Sequence, residues 1–190
     1  MEPLNVGFAL CGSFCTFSRV IPELEALVAQ GHRVYPIMSF NAASLDTRFG
    51  KAANHVARIE RSCGRKVVAT LTEAEPIGPK KLLDLLIIAP CTGNTLAKLA
   101  NGISDTPVTL AAKAHLRNAR PLLIAVSTND GLTGAARNIG LLQNRKHIWF
   151  VPYGQDDCEG KPASLVADFT QIGTAAALAM EGKQLQPMLV

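Results

Sequence analysis

The stretch that most constrains this chain runs from Asp84 to Asp105, Asp-Leu-Leu-Ile-Ile-Ala-Pro-Cys-Thr-Gly-Asn-Thr-Leu-Ala-Lys-Leu-Ala-Asn-Gly-Ile-Ser-Asp. It opens with an unbroken apolar run, Leu85 to Ala89. A run that short and rich in Ile reads as a strand buried on both faces, as in a parallel sheet. Pro90 is expected to stop the strand. Cys91-Thr92-Gly93-Asn94-Thr95 reads as a small polar loop. Leu96, Leu99 and Ala100 then fall at helical spacing, and Asn101-Gly102 marks a helix end. The loop therefore lies between the carboxyl end of a central strand and the start of a helix, where open α/β sheets bind ligands. Hydroxyls, an amide and free N–H groups at a helix start suit a phosphate or a polar ring edge.

The rest of the chain repeats that grammar. Val6 to Cys11 is a short apolar run ending at Gly12-Ser13. Phe17, Ile21, Leu24, Leu27 and Val28 mark a helix in which Pro22 either makes a kink or opens the first turn. Val34 to Phe40 is a second strand with Ser39 at its end, and Asn41 to Gly50 is polar loop. Ala52, Val56 and Ile59 mark a helix ending at Cys63-Gly64, and Val67 to Ala69 a short strand. Glu73 to Pro79 reads as loop. Asp105 to Asn118 reads as a helix, with Thr106-Pro107 at its opening. Pro121 to Val126 is a buried strand ending in Ser127-Thr128-Asn129-Asp130, and a helix follows over Ala135 to Leu142. Ile148 to Val151 is the expected last strand, with a loop over Pro152 to Pro162 and a closing helix over Thr170 to Met180. The Gln184 to Val190 tail has no clear period. Alternating strands and helices predict a doubly wound, Rossmann- or flavodoxin-like parallel sheet in three layers, α/β/α. At 190 residues, one domain over 1–190 is expected.

Composition narrows the function. Net charge is only +4 and no basic cluster is interleaved with aromatics, which argues against nucleic-acid binding. Nothing approaches the apolar length of a membrane span. The start lacks a basic region, a long apolar region and a cleavage site, so no signal peptide is expected. The five cysteines (Cys11, Cys15, Cys63, Cys91 and Cys158) contain no C-x-x-C pair, which fits a reducing cytoplasm and neither a zinc site nor a disulfide framework. With 48% hydrophobic residues, the chain has apolar surface to spare for contacts between copies in a homo-oligomer.

Four strand ends carry hydroxyls or amides. The Rossmann G-x-G-x-x-G fingerprint is absent, since Gly7 and Gly12 stand alone. Ser13, Ser39, Thr92, Asn94 and Thr95 can donate to a phosphate or ring, and Gly12 allows close backbone approach. Taken singly, each serine or threonine reads first as a cap or turn residue; as a set at successive strand ends they read as a site. Lys98 shares a helix face with Asn94. Cys91 reads as a small buried filler.

The combination of Gly12-Ser13, Ser39 and Ala89-Pro90-Cys91-Thr92-Gly93-Asn94-Thr95-Leu96-Ala97-Lys98-Leu99-Ala100-Asn101-Gly102-Ile103-Ser104-Asp105 resembles the flavoprotein family that includes the cysteine decarboxylases of coenzyme A and lantibiotic synthesis. That resemblance implies non-covalent FMN at the interfaces of homotrimers or larger assemblies. By the family's motif, the FMN-binding residues would be Gly12, Ser13, Phe14, Ser39, Pro90, Cys91, Thr92, Gly93, Asn94, Thr95, Ser127 and Asn129. Within the family the similarity is greatest to a branch of B subunits. It rests on Gly12-Ser13-Phe14-Cys15-Thr16, Thr47-Arg48-Phe49-Gly50, Glu75-Pro76-Ile77-Gly78-Pro79-Lys80, Ser127-Thr128-Asn129-Asp130, Pro152-Tyr153-Gly154-Gln155-Asp156-Asp157 and Leu185-Gln186-Pro187. Those proteins work with a dehydrogenase-like A subunit, through which NADP would act, to make pyridine-2,6-dicarboxylate from a dihydro or hydroxytetrahydro precursor in sporulating bacteria.

Two departures stand out. The decarboxylases' catalytic His would fall near Glu75 to Pro79, where this chain has none, and their P-x-M-N clamp is here Ser127-Thr128-Asn129-Asp130. Both argue against a stand-alone FMN-dependent decarboxylase, though that reading and a non-catalytic scaffold on the same fold stay open. A dicarboxylate calls for cations: Arg48 first, because guanidinium pairs carboxylate as a fork, then Lys80 and Lys81. No residue stands out as a general base, so the catalytic residues stay unassigned. Asp130, Asp156 and Asp157 read as turn carboxylates. His32, His55, His115 and His147 read as helix-end or surface residues.

Overall fold

The computed structural model describes residues 3–190, so the first two positions of the expected 1–190 domain lie outside the described residues. Its centre is a run of five parallel strands. These are β1 (Asn5–Leu10), β2 (Arg33–Met38), β3 (Leu85–Cys91), β4 (Leu122–Thr128) and β5 (Ile148–Phe150). They lie side by side in the order β2-β1-β3-β4-β5. That is the flavodoxin-like order of the doubly wound fold, with its switch point between β1 and β3. Every residue of β3 is buried, as is every residue of β4 except Thr128, which accounts for their unbroken apolar sequences.

Helices cover both faces. On one lie α1 (Phe17–Ala29) and α8 (Ile172–Met180), with α3 (Ala52–Cys63) packed beside α1. On the other lie α5 (Gly93–Ala100), α6 (Pro107–Leu116) and α7 (Ala136–Gln143). Phe17, Ile21, Leu24 and Leu27 are buried on α1, as their spacing predicts. Pro22 lies exposed within the helix, neither opening it nor facing the core. Gly64 ends α3 at φ +62°, a left-handed cap that glycine takes without Cβ strain.

Several expectations need correction. Pro90 does not stop β3. The strand runs through it to Cys91 across a register shift between Ile88 and Cys91, and an irregularity is where a residue without an N–H can sit in a sheet. The Pro90 carbonyl still accepts from the Cys11 N–H at 3.2 Å. The Thr92 to Thr95 segment is not loop: Thr92 caps α5, which begins at Gly93. The second strand ends at Met38, and Ser39 caps a short helix, α2 (Phe40–Ser44), in place of the expected loop. Val67 to Ala69 contributes only a single bridge, Ile37 to Val68. Part of the Glu73 to Pro79 loop is helical. Thr70 caps α4 (Leu71–Ala74), with Glu73 reaching back to close a capping box, and a 3₁₀ turn follows over Glu75–Ile77. The sheet does not end at β5 either. Two short strands, β6 (Tyr153–Gly154) and β7 (Leu165–Ala167), add antiparallel pairs, with β7 on the end of β4. The tail lies on β6, where the Tyr153 N–H donates to the Met188 carbonyl at 3.0 Å. Among the described residues, no helix is long and apolar enough to cross a membrane, and no cluster of His, Cys, Asp and Glu could hold a metal ion.

Candidate functional site

The carboxyl ends of β1, β2 and β3 open onto a cavity of about 360 Å³ at the switch point. Its lining comes from the β1 end (Cys11, Gly12), the first turn of α2 (Ser39, Phe40, Asn41), the start of α5 (Thr92, Asn94, Thr95, Lys98) and Thr106 before α6. Five residues picked out by the sequence therefore share one cavity: Gly12, Ser39, Thr92, Asn94 and Thr95. So does Lys98, four residues and one helical turn from Asn94.

Local chemistry fixes these groups. Ser39 Oγ accepts from the Ala42 N–H at 3.3 Å, and Thr92 Oγ1 from the Thr95 N–H at 3.4 Å, so each caps a helix whose first turn faces the cavity. The amino end of α5 brings partial positive charge to the same place. Lys98 Nζ, from a residue that lines the cavity, is paired with Asp105 at 2.7 and 2.9 Å, which offsets part of its charge. The cavity offers hydroxyls, an amide, a helix start and one ammonium. That is a donor-rich set, suited to an anion with a polar tail.

Cys11, Phe40, Asn41 and Thr106 also line the cavity, and the sequence does not mark them as site residues. Phe40 and Asn41 are hidden because α2 is too short to show a helical period. Cys11 could have been found as the last residue before Gly12. Its thiol accepts from Thr95 Oγ1 at 3.2 Å, and burial pushes its pKa up to about 11. Cys91 is fully buried, and its thiol is pushed well above the ordinary value by desolvation, then by Cys11. Neither supplies a thiolate near neutral pH; Cys91 is the filler expected.

The other expected residues lie around this cavity. Ser13 and Ser127 hydrogen-bond each other at 2.8 Å, linking the ends of β1 and β4 across β3. Ser127 is buried and Asn129 exposed. Pro90 is walled inside the sheet. Gly93 is small for a reason: a Cβ there would come 2.6 Å from Thr128 Oγ1 and 2.8 Å from Asp130 Oδ1. Asp130 accepts from Thr128 Oγ1, and Asp157 Oδ1 accepts from the Gly160 N–H at 2.8 Å, both as turn carboxylates. Phe14 packs on Phe17 with ring centroids 5.3 Å apart, lining a different, smaller cavity.

The cations divide. Arg48 is exposed, with its guanidinium over the Phe49 ring at 4.8 Å, on the loop that follows α2. Lys80 and Lys81 are exposed just ahead of β3, so the length of that strand separates them from the cavity, about 20 Å. The structure does not bring Lys80 to the site, because a residue before a strand cannot reach its far end.

Two histidines also depart from the surface reading. His115 is buried in α6, with Nε2 donating to the Pro121 carbonyl at 2.9 Å, and desolvation lowers its pKa to about 4. His55 has a buried Nε2 with no hydrogen-bond partner.

Comparison with known proteins identifies relatives of this fold. The flavoprotein family model matches residues 1–177. The B subunit of dipicolinate synthase from Bacillus subtilis (strain 168) is 45% identical over 186 residues, 98% of this chain and 93% of that protein. The crystal structure of the corresponding B subunit from Bacillus halodurans superposes with a TM-score of 0.90 at 41% identity, covering 98% of this chain and 96% of that one. The FMN-dependent cysteine decarboxylase SpaF shares the fold, with a TM-score of 0.65 at 23% identity over 93% of this chain and 97% of its own.

Proposed function

The chain belongs to the flavoprotein family, and from that premise we propose that it is the flavin-binding B subunit of a dipicolinate synthase. The observation that carries this reading is the convergence of Gly12, Ser39, Thr92, Asn94 and Thr95 on one cavity at the β1–β3 switch point. The donors there fit the phosphate and ribityl end of FMN. Ser39, Thr92 and Thr95 supply hydroxyls, Lys98 a cation, and Gly12 an unobstructed backbone approach. Ser13, Ser127 and Asn129, at the ends of β1 and β4, would meet the ring end. Bound FMN supplies a two-electron acceptor.

In this reading the chain works in the cytoplasm of a sporulating cell as a homo-oligomer. Its partner is a dehydrogenase-like A subunit that carries NADP. The pair converts a dihydro- or hydroxytetrahydro-dipicolinate to dipicolinate, by oxidation or dehydration that aromatises a six-membered ring. The groups of this chain bind and orient. The one buried histidine of α6 is spent on a backbone carbonyl, and both thiols near the cavity are protonated, so proton removal falls to the partner.

The test is dipicolinate formation by the reconstituted pair, comparing the wild-type chain with Ser39→Ala and Asn94→Ala. Loss of activity together with loss of flavin supports the reading. Full partner-dependent activity in both variants would instead mark the chain as a scaffold.

A further inference from the structure

Among the described residues that line the switch-point cavity, Lys98 is the one charged group. Its partner, Asp105, stands outside that lining. Asp105 accepts from Lys98 Nζ through Oδ1 at 2.7 Å and Oδ2 at 2.9 Å. The pair is lopsided. The Lys98 side chain is 21% exposed and that of Asp105 58%, so the cation is recessed and the carboxylate faces water. An ammonium has three donors, so Lys98 can serve Asp105 and a second anion together.

Local structure brings Asp105 back to Lys98. At the end of α5, Arg145 donates to the Leu99 and Ala100 carbonyls at 3.2 and 2.6 Å. Gly102 then turns the chain at φ +72°, a left-handed conformation that suits glycine. The Ile103 N–H donates to the Lys98 carbonyl at 2.9 Å, which folds the segment back along the helix. Asp105 follows two residues on. The next residue, Thr106, lines the cavity and caps α6, its Oγ1 accepting from the Thr109 N–H at 3.2 Å. Asp105 therefore also stands just before the amino end of a second helix, where partial positive charge favours an anion. The hydrogen bond from Lys98 holds its carboxyl below the usual carboxylate range.

Resting on the function proposed above, we infer that Asp105 is a built-in counter-anion that makes the cavity selective for a flavin phosphate over free anions. Its charge opposes any anion that Lys98 and the start of α5 attract. Water screens the exposed carboxylate, so the opposition is partial. A free phosphate is left with only that weakened attraction. A flavin phosphate adds contacts along its ribityl tail, with Ser39, Thr92 and Asn94 among the donors in the same cavity. Asp105 acts through Lys98, so it is a positioning residue.

The test compares the purified full chain with Asp105→Asn, Lys98→Met and Lys98→Arg. FMN and riboflavin are titrated by flavin fluorescence, and inorganic phosphate by calorimetry. Asp105→Asn keeps the size and a carbonyl acceptor and removes the charge. It should tighten FMN and phosphate about threefold each, as for a screened like charge removed, while riboflavin, which has no phosphate, moves little. Lys98→Met should weaken FMN about tenfold, as for a lost charge-assisted hydrogen bond, and lower the ratio of FMN to riboflavin affinity. Lys98→Arg keeps a cation and should recover most of that ratio. An Asp105→Asn chain that leaves FMN unchanged, weakens it, or moves FMN and riboflavin by one factor would overturn the inference. If the wild-type chain binds no flavin, the flavin reading fails and phosphate decides the rest. Phosphate bound more tightly by Asp105→Asn than by the wild type, and lost in Lys98→Met, would uphold the counter-anion. Phosphate bound alike by all four chains, or by none, would overturn it.

Discussion

At the residue scale, the site is shaped as much by missing side chains as by present ones. Gly93 opens α5 against the side chains of Thr128 and Asp130, and a methyl group there must push both aside. Gly93→Ala should cost about 1–3 kcal/mol of stability, as overpacking does, and weaken flavin retention with it. Urea denaturation and flavin stoichiometry measured on the same sample check both. The cysteines give a second prediction. Cys11 and Cys91 are buried with raised pKa values, whereas Cys15 and Cys158 are exposed. Brief alkylation of the native protein near pH 8, read by mass spectrometry, should label Cys15 and Cys158 and spare Cys11 and Cys91; early labelling of Cys11 would contradict its placement. Shared placement at successive strand ends is what made Gly12, Ser39 and Asn94 legible in the sequence as a group, and the structure brings the three to one cavity. The sequence could not show that His55 Nε2 would be buried without a hydrogen-bond partner, because that depends on Gly50 and Phe17, which meet it from other elements.

At the element scale, the long, strongly periodic pieces were readable and the short ones were not. The β1, β3 and β4 strands and the α1, α3 and α6 helices follow from apolar runs, helical spacing and caps. The short α2 and α4 helices have too few residues to show a period, and only their caps, Ser39 and Thr70, betray them. The two-residue β6 and three-residue β7 pair only because the end of β4 offers an open edge, which no local pattern records. Pro90 misled for a related reason, since the sheet around it supplies the register shift that accommodates it. Thr92 is both a cap and a cavity wall, so the two roles can be separated. Thr92→Val should lose about 1 kcal/mol from the missing cap. Thr92→Ser keeps the cap and should hold stability near wild type, as thermal unfolding would show.

At the scale of the whole molecule, the doubly wound order dictates where a ligand goes, because only at the β1–β3 boundary do neighbouring loops part in opposite directions. Stability carries a pH signature from the core. His115 keeps its ring neutral when folded, with a pKa lowered to about 4 from an ordinary 6.5. Between those values the unfolded chain binds more protons than the folded one. The contribution is therefore complete above about pH 6.5 and lost as pH falls toward 4, up to about 3 kcal/mol. Besides the Pro121 carbonyl it bonds, Arg120 and Asp84 are the charges that act on it, in opposite directions. Urea midpoints across that window should fall steeply in the wild type and less so in His115→Gln; parallel curves would contradict the assignment.

The central claim is that the switch-point cavity holds a flavin. The most direct measurement is the visible absorption spectrum of the purified chain after FMN is added and unbound flavin removed by gel filtration. The account predicts a flavin band near one per chain, reduced in Ser39→Ala and Asn94→Ala. A colourless wild-type protein at micromolar concentration, or variants that retain flavin as fully as the wild type, would contradict it.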